Sequence, residues 1–295
     1  MLNFDFYSPE EELSLPLYSE HGVRVFVKRD DLIHPYISGN KWRKLKYPLT
    51  DARASNKKLL VTFGGAWSNH LLATACAAAK FGFASYAFVR GEKVSNPVLD
   101  LCKLFGMNLH FVDRSSYRDK AGLYNQHFSD NPTAYFLAEG GYSSLAAQGC
   151  AEIWKESKRH YEHCFCACGT GTTLAGLLQG AQEQSLTTQL HGIPVLKGGS
   201  FILDEIQQLG ITPTEQVSLH LDYHFGGYAK TKPELLTFVK NFTAETGMLL
   251  EPTYTGKLFY GLHDQIAQDK IAAGSTILVI HSGGLTGLLG TLAKF

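Results

Sequence analysis

Short apolar runs alternate with helical stretches along almost all of this 295-residue chain, and that alternation constrains its fold more than any other feature. The runs Val23–Lys28, Leu59–Phe63, Ser85–Val89, Asn108–Val112, Ala134–Leu137, Cys164–Cys168, His191–Val195 and Thr276–Ile280 are expected to be strands. Between them, Lys41–Ala54, Asn69–Phe81, Pro97–Phe105, Leu145–Tyr161, Thr172–Gln184, Lys232–Thr246 and Gly256–Gln268 are expected to be helices. Strands that alternate with helices pair in parallel. The fold class is therefore α/β, with open, mostly parallel twisted sheets flanked by helices. Ligands of such folds bind at the carboxyl ends of strands, where loops meet helix N-termini. No internal repeat or low-complexity linker interrupts the pattern.

Charge excludes some partners. With 27 basic and 27 acidic residues, nothing electrostatic favours nucleic acid or an anionic membrane. No apolar run approaches the ~18–20 residues that span a bilayer. The start, MLNFDFYSPEEELSLPL, lacks the basic and apolar regions of a secretory signal. Of six cysteines, Cys164, Cys166 and Cys168 alternate in HCFCACGTG, which places all three on one strand face. They read as small buried hydrophobes, and no metal site is expected, because zinc favours CxxC-type loops with paired histidines. Free thiols without a signal point to the cytoplasm.

Four segments carry more than packing. In KRDDLIHPYISGNKWRKLK, Lys41 falls in the first turn of a helix that follows Ser38-Gly39-Asn40. A cation there meets the positive end of the helix dipole, and partial burial would add to the effect. Both lower an ammonium pKa and favour the neutral amine of Schiff-base chemistry. The alternative is an ordinary surface lysine. In TFGGAWSNH, Ser68 is either a helix N-cap or, with Asn69 and His70, part of a site for an anion such as a substrate carboxylate. In CGTGTTLAG, backbone N–H groups and threonine hydroxyls converge on a phosphate-sized space after a strand. Leu174 stands where a dinucleotide fingerprint wants glycine, and no Gly-Lys-Ser/Thr follows, so a lone monophosphate is the fitting ligand. Finally, EPTYTGK and HSGGLTG are polar, glycine-bearing turns at element ends.

In this order, KRDDLIHPYISGNKWRKLKY, TFGGAWSNHLLATA, AEGGYSSLAAQG, CGTGTTLAG, EPTYTGKLFYGL and HSGGLTG resemble the 1-aminocyclopropane-1-carboxylate (ACC) deaminase and D-cysteine desulfhydrase family. That family lies among the fold-type II, tryptophan synthase β-like enzymes that use pyridoxal 5′-phosphate (PLP). The resemblance covers nearly the whole chain, which looks shorter than typical members between Phe81 and Pro132. It implies a larger domain of residues 1–45 plus 151–295, a smaller one of residues 46–150, and PLP in the cleft between them. Lys41 is then the Schiff-base lysine. Ser68 matches a reactive serine, Asn69 an asparagine that contacts the cofactor ring hydroxyl, and His70 completes the substrate-facing segment. Gly169, Thr170, Gly171, Thr172 and Thr173 match the phosphate cup. Tyr254 matches an active-site tyrosine, and Tyr228 in FGGYAK is a second candidate. A small amino-acid substrate and a homodimer are also implied.

Two positions separate the family's activities. ACC deaminases resemble one another in having Glu after the tyrosine of the PxY segment and Leu after the histidine of the HxGG segment; this chain has Thr255 and Ser282. A carboxylate near the pyridine nitrogen would keep it protonated, whereas a hydroxyl leaves it largely neutral. Expelling a thiolate asks less of the ring than opening a cyclopropane, so β-elimination from D-cysteine to pyruvate, ammonia and sulfide is favoured. In that scheme the substrate carboxylate docks where the helix begins near Asn69, and Lys41 removes the α-proton. Ser68 serves as nucleophile, proton relay or carboxylate anchor. ACC deamination to 2-oxobutyrate is the alternative, and a PLP-binding homologue without robust turnover is a reading of another class.

Overall fold

The computed structural model describes Leu2 and residues 4–295. Its strands are β1 (Glu10–Leu13), β2 (Arg24–Lys28), β3 (Leu59–Gly65), β4 (Ala84–Arg90), β5 (Met107–Val112), β6 (Ala134–Phe136), β7 (His163–Cys168), β8 (Gln189–Pro194), β9 (Val217–Leu219) and β10 (Thr276–Ile280). Its α-helices are α1 (Pro16–Glu20), α2 (Asn40–Ala54), α3 (Asn69–Phe81), α4 (Pro97–Leu104), α5 (Lys120–Phe128), α6 (Ser144–Ala151), α7 (Ile153–Glu156), α8 (Thr172–Glu183), α9 (Ile202–Gln208), α10 (Pro233–Thr246) and α11 (Thr255–Ala267). They build two sheets, one ordered β1-β2-β10-β7-β8-β9 and one ordered β5-β4-β3-β6. All pairings are parallel except the edge pair β1–β2. This is the α/β architecture expected from the alternation.

Burial on both faces explains the apolar strands. Along β7, Cys164, Cys166 and Cys168 share one face and pack with Leu174, Leu177 and Leu178 of α8. Phe165 and Ala167 face the other way, toward Leu258 and Leu262 of α11. The three cysteines are thus free, buried and on one face.

Two differences have local causes. The helix expected over Leu145–Tyr161 is instead α6 followed by α7, and the chain is extended at Ser157. The next residues, Lys158-Arg159-His160, are polar and offer no apolar face to hold another turn. The acidic EEEL segment is a strand although its composition disfavours one. Arg24 bonds Glu12 and Arg29 pairs with Glu11 across the edge, which neutralises it.

Small residues bring α2, α6 and α8 close together. A Cβ on Gly176 of α8 would overlap the Ala147 carbonyl of α6, and one on Gly149 of α6 would overlap the Arg43 carbonyl of α2. This stack sets the start of α2 against the start of α8.

Candidate active site

The N-terminus of α2 is fixed from several sides. Gly39, its N-cap, has φ 61° and ψ −140°, a conformation that favours glycine. The Ser282 carbonyl lies where a Gly39 Cβ would be, and it accepts a hydrogen bond from the Asn40 N–H at 3.2 Å. One turn on, the buried Arg43 guanidinium grips Asp30 through two 2.6 Å bonds and Glu156 through two at 2.9 Å. Lys28 joins Glu156 at 2.8 Å. These pairs tie α2 to the ends of β2 and α7, so Lys41 is held on a rigid base.

Lys41 borders a small cavity with Asn40, Lys44, Gly140, the Cys168–Gly171 loop, Thr173 and Tyr254. Burial, aided by the neighbouring Lys44 charge, lowers the Lys41 amine to about 7. Opposite stands the N-terminus of α8. Gly171 caps it in the left-handed region with φ 76°, Thr170 and Thr172 share a 3.0 Å hydroxyl bond, and Asn40 Nδ2 donates to Thr173 Oγ1 at 3.0 Å. The first N–H groups of α8 have no helical acceptor, and Gly171 and Thr173 line the cavity. Gly169 is small because the Tyr254 phenol lies over it, 3.3 Å from the position of a Cβ. Burial raises Tyr254 well above the usual phenol range, so it keeps its proton.

Lys44 was not expected from sequence, and it tests whether a phosphate fits. It is almost completely buried, and burial depresses its pKa. Among the described residues its one hydrogen bond is a long 3.4 Å contact to the Gly140 carbonyl. A buried ammonium beside a helix N-terminus places two positive features at one spot without an anion. A phosphate dianion satisfies both. The signal was available: Lys44 lies three residues after Lys41, on the same helix face.

The α3 N-terminus follows β3 of the other sheet and comes near this cavity through His70, whose ring approaches Gly141 and the Lys44 stem. Ser68 caps α3, its Oγ accepting the Leu71 N–H at 3.3 Å. Asn69 Oδ1 accepts from Thr286 Oγ1 at 2.8 Å, which leaves its Nδ2 free to donate beside Gly284. His70 is buried and its Nε2 lies 2.9 Å from Thr62 Oγ1. Its Cε1 lies 3.5 Å from where a Gly141 Cβ would be, and that position also touches the Lys44 stem.

Other expected residues sit differently. Thr255 is fully buried, and its hydroxyl accepts the Glu251 N–H at 2.9 Å, so it is engaged in the turn that starts α11. The Glu251 carboxylate accepts backbone N–H bonds from Thr253, Tyr254 and Thr255. Ser282 instead joins the Gly39–Asn40 turn beside Lys41. Tyr228 is 44% exposed at the rim, with its ring edge-on to Tyr254 at 6.0 Å. Its loop is pinned by buried Lys257, which donates to the carbonyls of Val195, His224 and Gly227.

Comparison with known proteins agrees with this geometry. Residues 11–283 match the family model described as "Pyridoxal-phosphate dependent enzyme". The chain is 30% identical to the bifunctional D-cysteine desulfhydrase/1-aminocyclopropane-1-carboxylate deaminase of Arabidopsis thaliana, over 91% of this chain and 74% of that protein. It is 30% identical to a D-cysteine desulfhydrase of Serratia proteamaculans, over 95% of this chain and 92% of that one. A crystal structure of an ACC deaminase homologue superposes with a TM-score of 0.87 at 30% identity, covering 99% of this chain and 93% of the other. A fungal L-serine ammonia-lyase, 15% identical with a TM-score of 0.72, shares the fold. The chain belongs to the pyridoxal-phosphate dependent enzymes, in the ACC deaminase and D-cysteine desulfhydrase family, and its cofactor is PLP.

Proposed function

We propose that this protein removes ammonia and a β-thiol from a small amino acid of the D-cysteine kind, consuming one water and giving pyruvate, ammonia and sulfide. One observation carries the choice over ACC deamination. The two positions that separate the family's activities, Thr255 and Ser282, both carry a hydroxyl, so neither supplies a carboxylate. The buried carboxylate of Glu251 is committed to three backbone N–H groups.

The residues divide the work as follows. Lys41 carries the cofactor, and its depressed pKa supplies a neutral amine at neutral pH, both to attach PLP and to take the substrate α-proton. Gly169, Thr170, Gly171, Thr172 and Thr173, with Lys44, hold the phosphate. Asn69, with its Nδ2 free, would donate to the ring hydroxyl. Ser282, whose backbone carbonyl bonds the Asn40 N–H next to Lys41, would offer the hydroxyl for the pyridine nitrogen, since the Thr255 hydroxyl is engaged in its own turn. Once bound, PLP supplies the electron sink that acidifies the α-carbon. Ser68 and the free N–H groups of α3 hold the substrate carboxylate, and Tyr254 and Tyr228 close the cleft above it. Residues 46–150 form the smaller domain, and residues 1–45 with 151–295 the larger. The division is supported by the four-stranded sheet, all of whose strands lie between Leu59 and Phe136. A homodimer belongs to the same reading. No helix of the described residues is long and apolar enough to cross a membrane.

The test is a parallel assay for 2-oxo acids from D-cysteine, L-cysteine, D-serine, β-chloro-D-alanine and ACC. Pyruvate from D-cysteine and β-chloro-D-alanine, with little 2-oxobutyrate from ACC, is the expected pattern. Efficient ACC turnover would favour the second reading, which the likeness to the bifunctional Arabidopsis protein keeps in view. No turnover of any of them, with PLP bound, would leave a binding homologue.

A further inference from the structure

The residues on both sides of Ser68 are held by the far end of the chain. After β10 the backbone turns through Gly283 and Gly284 into a 3₁₀ segment, Leu285–Gly290. This segment touches the loop before α3 at two points. Gly290 lies against the Trp67 ring, which a Cβ there would meet at 2.9 Å. Thr286 Oγ1 donates to Asn69 Oδ1 at 2.8 Å, joining residues 217 positions apart. The first contact is packing, and the second bears on chemistry.

A side-chain amide presents an acceptor on one side and a donor on the other, whereas a hydroxyl has a single proton to give. Among the described residues, Asn69 Oδ1 is the one acceptor for the Thr286 proton. With the amide turned over, Nδ2 would face the hydroxyl and that proton would have no protein acceptor. The bond therefore selects one of the two amide orientations. Two glycines of the same turn make room for it. A Cβ on Gly284, whose φ is 81°, would lie 2.8 Å from Nδ2, and one on Gly287 would lie 3.8 Å from it. The HSGGLTG segment thus wraps the Asn69 amide with a hydroxyl on its oxygen and open space beside its nitrogen.

We infer that Thr286 is a positioning residue for the cofactor: its hydroxyl holds the Asn69 amide with Nδ2 as the group left to donate, which rests on Asn69 being the partner of the PLP ring hydroxyl. Without that hydroxyl the amide takes both orientations. One of them turns Oδ1 toward the ring oxygen, where lone pairs meet and no bond forms. Asn69 starts the helix after β3, and Thr286 follows β10 of the other sheet. The donor is therefore set only while the C-terminal segment is seated on the Trp67–Asn69 loop.

The test compares Thr286→Val, which keeps the shape and loses the hydroxyl, with Thr286→Ser, which keeps the hydroxyl and loses a methyl group. Full-length protein freed of PLP is titrated with the cofactor, and the ratio of the two absorbance bands of bound PLP is recorded against pH. Circular dichroism checks that each variant is folded. Thr286→Val should weaken PLP binding about fivefold, the worth of one hydrogen bond, and shift the band ratio in the same direction as Asn69→Ala. Thr286→Ser should stay near the wild type. In an Asn69→Ala background, Thr286→Val should change nothing further, because the residue acts through Asn69. A packing role would reverse the order of the two Thr286 variants. That reversal, wild-type behaviour of Thr286→Val, or an undiminished effect of Thr286→Val in the Asn69→Ala background would overturn the proposal. Failure of the underlying reading looks different, since Asn69→Ala alone would then keep wild-type PLP affinity and bands.

Discussion

Gly39→Ala is the substitution that most directly probes how the site is assembled. Gly39 has φ 61° and ψ −140°, and a Cβ there would overlap the Ser282 carbonyl and lie 2.7 Å from the Gly283 nitrogen. Both neighbours are backbone, so no side chain can swing away. Holding a side chain in that region costs about 1–3 kcal/mol. Pushing the two loops apart also removes the Asn40–Ser282 bond, a further ~1 kcal/mol. The expected loss is about 2–4 kcal/mol, a serious but survivable fraction of a typical stability of about 5–15 kcal/mol. Gly198→Ala is the matched control: its φ is 72°, but nothing lies within 4 Å of a Cβ there, so it bears left-handed strain alone, about 1–2 kcal/mol. Urea unfolding followed by circular dichroism gives both losses, and titration with PLP gives cofactor affinity. Gly39→Ala should be the more destabilised and should bind PLP more weakly, because Asn40 and Lys41 move with the turn. Losses equal within about 0.5 kcal/mol, with unchanged PLP affinity, would refute the close approach as the device that positions Lys41.

Gly171→Asp puts a side chain 3.2 Å from Ile202 and a negative charge at the start of α8; PLP should be lost while circular dichroism shows the fold retained, and unchanged affinity would place the phosphate elsewhere. Asp30→Ala removes one of the two carboxylates that grip the buried Arg43 guanidinium, leaving Glu156 alone, and should cost about 3 kcal/mol in urea unfolding. PLP capture by the cofactor-free protein should follow the free amine of Lys41. It should rise about tenfold per pH unit below about 7 and level off above, because a lowered pKa leaves the amine protonated only on the acid side. A stopped-flow rate still climbing at about pH 9 would mean an ordinary lysine.

Much of the architecture is written in local pattern. The β-α alternation is visible because both faces of each sheet are covered, which makes nearly every strand a continuous apolar run. The glycine-hydroxyl loop before α8 is legible for a similar reason, since a strand, a tight turn and a helix N-terminus each leave a local mark. What escapes is what depends on distant partners. β1 is held by Arg24 of the neighbouring strand and by Arg29 just after it, so its own composition argues against it. Arg43 and Lys44 look like neighbouring surface charges in KWRKLK, yet one closes a buried ion-pair network and the other lies beside the α8 N-terminus. Thr255 illustrates a different limit. A threonine after a tyrosine in a polar turn can face a ligand or brace the turn, and its residue type is the same for both. Here the hydroxyl bonds the Glu251 backbone.

The most direct measurement is to reduce the PLP-loaded enzyme with borohydride and map the modified residue by peptide mass spectrometry. Lys41 lies in the first turn of α2, on the cavity it shares with the α8 N-terminus, with its amine lowered to about 7. The expected result is a single phosphopyridoxyl adduct on Lys41, abolished together with turnover in Lys41→Ala. An adduct on Lys44 or on any other lysine, or turnover that survives Lys41→Ala, would contradict the assignment on which the whole site is built.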